Sequence, residues 1–410
     1  MILLSFPIQV LADQATDIKQ IGIHEIAGDS LSFETYLNKV GKNNLGYMAD
    51  RLNVDIAEAE VLAAKVLPDP SLDFEANKET FTLGLSYTLE LGKRRARTKL
   101  ARSQSEMEKL ALEAGFHELR AQAAELFLDA ILQRELLQVK KDSYQYMVQL
   151  SVSDSLRFVS GEITENDARQ SRLEAIGLLN DVFDQEAAYH ASVVELQKLM
   201  GTSSDSILNP KGNWESLKRD FTLQQLLETG KVNRVDLWVA NKNIEVNQKA
   251  LKLARAERRP DFDLSLSYER DWNHFLPQAR YATIGVSIPL SFSVINKGTI
   301  KSARFQRDQA VIQQQDAELQ VTSEIKQAWY TFIAARKKVA QYQSGVLDES
   351  LKVLEGMVYK YKRGDASILD VLLSQRSYNE VCQDYLETMK GYCSSLVELE
   401  HACGIWDILL

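Results

Sequence analysis

LPDPSLDFEANKETFTLGLSYTLELGKRRAR, residues 67–97, changes its periodicity twice, and those changes decide the fold. Pro68 and Pro70 end the preceding helical pattern, because proline lacks an N–H and pushes the residue before it out of the helical region. From Ser71 the chain alternates. Leu72, Phe74 and Ala76 fall on one face, and Ser71, Asp73, Glu75 and Asn77 on the other. After Lys78-Glu79, Phe81, Leu83, Leu85, Tyr87, Leu89 and Leu91 alternate with Thr82, Gly84, Ser86, Thr88 and Glu90. A period of two with one apolar and one polar face predicts a β-hairpin, with strands at about 71–77 and 80–91. Beyond Gly92 strong helix formers take over.

The same grammar recurs downstream. Phe262, Leu264, Leu266 and Tyr268 alternate with Asp263, Ser265, Ser267 and Glu269. Ala282, Ile284, Val286, Ile288 and Leu290 then alternate with Thr283, Gly285 and Ser287. A second hairpin is predicted, with strands at about 262–272 and 281–290. A solvated hairpin packed on a helix would give the same pattern. Two features favour a membrane strand: the length approaches the ~9–11 residues of a tilted outer-membrane strand, and Phe81, Trp272, Phe275 and Tyr281 gather toward the hairpin tips, where an interfacial girdle belongs.

The rest is helical. The stretches 71–209 and 290–410 contain no proline, and outside the hairpins they are rich in Ala, Leu, Glu, Gln, Lys and Arg. Leu119, Ala123, Leu126 and Ala130 show the spacing of a helical face. From about 97 to 158 nothing stops the helix, which predicts roughly 90 Å of axis at ~1.5 Å per residue. Helices of that length suggest a coiled coil or a helical tube.

The chain is a tandem duplication. Leu67-Pro68-Asp69 matches Arg259-Pro260-Asp261 at an offset of 192, and Thr82–Ser86 matches Thr283–Ser287 at 201. Arg157–Gly161 matches Lys360–Gly364 at 203, as Gly201 matches Gly404. The jump in offset places about nine extra residues in the second hairpin loop. Each half reads helix, hairpin, long helix, glycine-containing turn, returning helix, with Gly161 and Gly364 reversing the chain. The expected segments are a signal-like N-terminal extension at 1–30, a first repeat at 31–201, a linker at 202–222, a second repeat at 223–404 and a tail at 405–410. Four strands cannot close a barrel by themselves, and an open sheet edge is not tolerated in lipid. Any membrane barrel must therefore take strands from several copies.

Composition excludes other classes. The 410 residues carry 48 basic and 57 acidic side chains, a net charge of −9, which disfavours nucleic-acid binding. No apolar run approaches the ~18 residues of a membrane helix. Residues 2–12 are apolar, and Val10 and Ala12 are spaced like a signal-peptidase site, without a basic leader. They read either as a short or truncated secretory signal or as a plain apolar segment. Cys382, Cys393 and Cys403 read as small buried hydrophobes. The histidines lack further ligands at metal-site spacings, and no phosphate loop, nucleophile elbow or triad can be assembled. The chain is expected to be neither an enzyme nor a cofactor protein. The basic run Lys93, Arg94, Arg95, Arg97, Lys99 and Arg102 reads as a contact for lipid phosphates or as a solvated helix start. Arg363-Gly364-Asp365 belongs to the turn motif rather than to an adhesion signal.

This duplicated order resembles the TolC family of outer-membrane efflux proteins over about 31–404. The most specific pieces are LPDPSL at 67–72, LGLSYTLELGKRRAR at 83–97 and YKRGDASILDVLLSQRSY at 361–378. The first two look most like the heavy-metal efflux branch that contains CzcC and CusC. The resemblance implies a mainly α fold with a small β part. It implies a homotrimer, with a 12-stranded outer-membrane barrel continued by a periplasmic helical tube. Its partners would be outer-membrane lipid, a periplasmic adaptor (membrane fusion) protein and a proton-driven inner-membrane pump of the resistance-nodulation-division type.

The helical tips at Gly161, Thr164, Gly364 and Ser367 would dock the adaptor. Thr82, Ser86, Thr88, Ser265, Ser267, Thr283 and Ser287 would line the barrel lumen. Asp370, with Asp167 as its repeat equivalent, matches a carboxylate that constricts the periplasmic mouth in the family. The family's second carboxylate position is Leu373 here, so a full double acidic ring is not implied. Both aspartates also fit as first-turn acids or caps of the returning helices. The function expected is a passive exit duct for heavy-metal cations. A duct for drugs, detergents or secreted proteins, and a soluble coiled-coil scaffold, are the alternatives.

Overall fold

A computed structural model describes residues 29–203, 208–212, 219–271, 280–289 and 295–407. Residues 1–12, Trp272 and Phe275 lie outside them. The described chain contains strand β1 (Asp29–Ser32) and helices α1 (Phe33–Asn43) and α2 (Leu45–Ala63). Strands β2 (Ser71–Ala76) and β3 (Thr80–Leu89) follow, then helices α3 (Lys93–Val159) and α4 (Glu165–Leu199). The second half holds β4 (Leu208–Lys211), α5 (Leu223–Asn233), α6 (Val235–Glu257), β5 (Phe262–Asp271) and β6 (Arg280–Ser287). It ends with α7 (Ile295–Tyr342), α8 (Val346–Lys362) and α9 (Ile368–Cys403).

The two halves do not form separate bodies. One compact unit combines Met1–Leu45, Glu118–Leu226 and Ile325–Leu410; the other combines Gly46–His117 and Leu227–Glu324. Each therefore draws on both repeats.

The first unit is helical, with an aromatic and aliphatic core. Tyr36, Phe127, Tyr189, Leu196, Phe332 and Leu396 have no measurable exposure. Phe127 meets the ring of Phe33 edge-on at 5.4 Å and stacks on Tyr36 at 5.7 Å. The segment read as a linker contributes β4, which pairs in parallel with β1 (Asp29 opposite Leu208, Ser32 opposite Lys211). The Tyr189 hydroxyl donates to the Leu208 carbonyl at 2.9 Å. Gly201 adopts φ +65°, and a Cβ there would sit 2.2 Å from the Asn43 carbonyl oxygen. Only glycine permits that approach.

Glu400 is fully buried and accepts from the Asp407 amide at 3.0 Å. Burial pushes its carboxyl up to about 8. Cys382, Cys393 and Cys403 are free; burial holds the Cys393 thiol up at about 12.

In the second unit one antiparallel sheet runs in the order β2-β3-β5-β6. The two hairpins are joined by β3 and β5, in register from Thr80 opposite Asp271 to Leu89 opposite Phe262. Leu251, Ala254, Ala303 and Ile300 form a small helical core, and Tyr47 lies 5.5 Å from Phe116. Part of the basic run is used internally. Lys93 pairs with Asp261 at 2.6 Å, and Arg97 binds the Val66 carbonyl and Glu90, each at 3.2 Å. Arg94, Arg95, Lys99 and Arg102 remain exposed.

The repeats differ where a single long helix was expected in each. α3 runs unbroken for 67 residues, but its counterpart divides into α7 and α8. Gly345 sits at the division with φ +106°. At the matching position, offset 203, the first repeat has Asp142, which accepts from Gln138 within the helix at 2.8 Å. The second repeat thus has a residue that releases the helix where the first has one that supports it.

Candidate functional site

The four strands share one register, without bulges, so alternation sorts their side chains onto two faces. One face is apolar: Leu72, Leu85, Leu266 and Ile284 lie in a row across all four strands, as do Phe74, Leu83, Tyr268 and Ala282. Ile284 is 82% exposed, so this surface is unpartnered within the chain. The other face gathers Thr82, Ser86, Thr88, Ser265, Ser267, Thr283 and Ser287, the residues expected to share a polar surface. Thr88 donates to Asp263 at 2.6 Å, and the hydroxyls of Ser71 and Ser86 meet. This face also holds Asp73, Glu75, Asp263, Glu269 and Asp271, and no lysine or arginine of the four strands. Gly285 belongs here because a Cβ would sit 2.4 Å from the Ser265 hydroxyl.

Tyr281 differs from the expected aromatic girdle. It pairs with Glu269 and falls on the polar face, because Arg280 takes the neighbouring apolar-face position. Phe81 does lie in the apolar face's last row, opposite Arg270.

At the helical turns the two repeats are built alike. The Glu162 amide donates to the Arg157 carbonyl, and the Asp365 amide to the Lys360 carbonyl, both at 2.9 Å. Gly161 (φ +76°) and Gly364 (φ +81°) supply the left-handed residue these closures require. Thr164 and Ser367 then cap α4 and α9. The Thr164 hydroxyl meets Asp167 Oδ2 at 2.8 Å, and the Ser367 hydroxyl meets Asp370 Oδ2 at 2.7 Å. Each aspartate also accepts from the cap residue's amide, completing a reciprocal capping box. Asp167 and Asp370 are thus capping acids. The Ser367 hydroxyl and amide hold the exposed Asp370 carboxyl below the usual range.

Behind these turns lies a constellation that sequence reasoning did not single out. Asp154, on α3, is fully buried; the Tyr361 hydroxyl, on α8, donates to its Oδ1 at 2.9 Å. Arg157 Nη1 stands 3.9 Å from the same oxygen, and its guanidinium lies 5.0 Å from the Tyr361 ring centroid. Burial raises the Asp154 carboxyl, while Tyr361, Ser171 and Arg157 oppose the rise. The returning helices are linked as well: Arg376 holds Glu174 with contacts of 3.0–3.2 Å. One sequence signal for the buried pair existed. The duplication sets Tyr361 against Phe158 and Asp154 against Met357, so both polar groups break the internal symmetry together.

Among the described residues no group of His, Cys, Asp or Glu could hold a metal ion, and no helix is long and apolar enough to cross a membrane.

Residues 226–404 match the family model described as outer membrane efflux protein. The chain belongs to that family. It is an outer-membrane channel subunit of a non-catalytic transport class. Family membership also supports an outer-membrane and periplasmic location. The cobalt-zinc-cadmium resistance protein CzcC of Cupriavidus metallidurans is 24% identical over 399 residues, spanning 96% of this chain and 94% of its own. The fold is similar to that of CusC, with TM-score 0.75, 17% identity, and 94% and 96% of the two chains covered. It is also similar to the open-state MtrE channel of Neisseria gonorrhoeae, with TM-score 0.73, 14% identity, and 91% and 89% covered.

Proposed function

We propose that three copies assemble into a 12-stranded barrel and a helical tube, and that this tube is the exit duct of a tripartite efflux system for heavy-metal cations. The observation that carries the reading is the sheet β2-β3-β5-β6, whose outer strands β2 and β6 each leave one edge unpaired in the chain. An apolar face on a sheet with free edges is stable in lipid only when other strands close it. The helices carry a matching deficit. Phe305, Ile312 and Leu319 on α7 are 59%, 67% and 71% exposed at seven-residue spacing, the repeat of a helix–helix seam without its partner.

In this reading the polar face lines the lumen, and its five carboxylates per chain favour cations. The turns at Gly161, Thr164, Gly364 and Ser367 meet a periplasmic adaptor, which delivers cargo from an inner-membrane resistance-nodulation-division pump. Asp370 and Asp167 narrow the periplasmic mouth while capping their helices. The likeness to CzcC supports metal cargo.

The assembly is tested by heat-modifiable gel migration and chemical crosslinking after detergent extraction. A protein extracted without detergent that crosslinks only as a dimer refutes it. Cargo is tested by deleting the gene and measuring tolerance to zinc, cobalt, copper and detergents. Lost detergent tolerance with unchanged metal tolerance refutes metal export.

A further inference from the structure

The row farthest from the helices breaks the rule of the apolar face. Arg270 lies opposite both Phe81 and Arg280, so two arginines stand side by side on a face whose inner rows are apolar. Like charges directly opposite on paired strands destabilise a sheet. The sheet's own carboxylates offer no relief, since Asp73, Glu75, Asp263, Glu269 and Asp271 all fall on the other face.

We propose that Arg270 and Arg280 together bind the phosphate of a membrane-lipid headgroup; the inference rests on the barrel reading above. The geometry fixes the depth. Eight residues separate Phe262, in the innermost β5 row, from Arg270. That is roughly 27 Å along the strand at ~3.4 Å per residue, or about 20 Å along the membrane normal at a tilt near 40°. The arginines therefore stand at the outer margin of the apolar band, at headgroup level, with Phe81 beside them to meet the acyl boundary. Opposed side chains on paired strands start ~4.5–5.5 Å apart, so two guanidinium forks converge on one phosphate, the anion whose geometry they match. A soluble phosphate would bind the same forks. The lipid is favoured because every inner row of this face demands acyl chains.

The test uses the full chain, reconstituted in phosphatidylcholine vesicles with and without phosphatidic acid, then released for native mass spectrometry. Wild-type oligomers are expected to retain phosphatidic acid over phosphatidylcholine. The Arg270→Gln/Arg280→Gln variant should lose that preference by on the order of tenfold or more, and Arg270→Lys/Arg280→Lys should keep part of it. Equal retention by wild type and the double Gln variant, both as intact oligomers, overturns the proposal and leaves the duct reading standing. Displacement of the lipid by inorganic phosphate alone also overturns it, in favour of a soluble ligand. If the wild-type chain neither enters vesicles nor forms a heat-modifiable oligomer, the barrel reading fails and takes this site with it.

Discussion

Replacing Tyr361 with Phe removes one oxygen and almost no volume, so it isolates the link between α3 and α8. The lost hydrogen bond is the 2.9 Å contact to Asp154, a carboxyl without exposed surface. Hydrogen bonds to charged groups are worth about 1.5–3 kcal/mol. At ~1.4 kcal/mol per tenfold, an equilibrium between joined and parted hairpins shifts by roughly 10- to 150-fold. Arg157 stays 3.9 Å from Asp154 but does not replace the lost donor. In planar bilayers the Y361F channel should open more often than wild type, and amide exchange should quicken in α8 and at the turn after Gly364. Tyr359→Phe is the control, because Tyr359 is 61% exposed and lies near the same end of α8. Y361F and Y359F channels that match wild type in open probability and exchange would refute the claim that this bond holds the hairpins together.

Three further outcomes follow from geometry. Glu400→Gln should flatten the pH dependence of stability. The carboxyl is raised to about 8 by burial, so its stabilising contribution is present below the usual carboxylate range and lost as pH rises toward 8; thermal melts of both proteins between these limits read it, and parallel melts refute it. Gly285→Val should weaken β5–β6 pairing by about 1–3 kcal/mol, because its Cβ meets the Ser265 hydroxyl at 2.4 Å; unchanged heat-modifiable migration and melting would contradict this. Neutralising Asp73 and Glu269 together (D73N/E269Q) should reduce cation preference in low-salt reversal potentials, with the difference shrinking at high salt; equal reversal potentials count against a lumen lined by these carboxylates.

The local elements were legible in the sequence because their causes are local. Alternation from Ser71 to Leu89 and from Phe262 to Ser287 reports which side chains share a face, since a strand's faces alternate residue by residue. The glycines at 161 and 364 mark turns that need a left-handed residue, and both turns formed with their caps. The duplication could be read from four short matches alone. β1 and β4 escaped because four-residue strands in parallel, Asp29–Ser32 with Leu208–Lys211, leave too little periodicity to recognise. Tyr281 was assigned by its proximity to a tip, when its position in the alternation puts it on the polar face.

Tertiary structure alone decided what depends on distant segments. The sequence announces two hairpins, but not that β3 and β5 join them into a single sheet, because that pairing spans residues far apart in the chain. The same holds for Asp154 and Tyr361, which are 207 positions apart and meet only when the two helical hairpins lie side by side. Their chemistry is invisible in either segment, since an Asp on one helix and a Tyr on another read as ordinary surface and core. Burial joins them, and burial is a property of the whole packed chain.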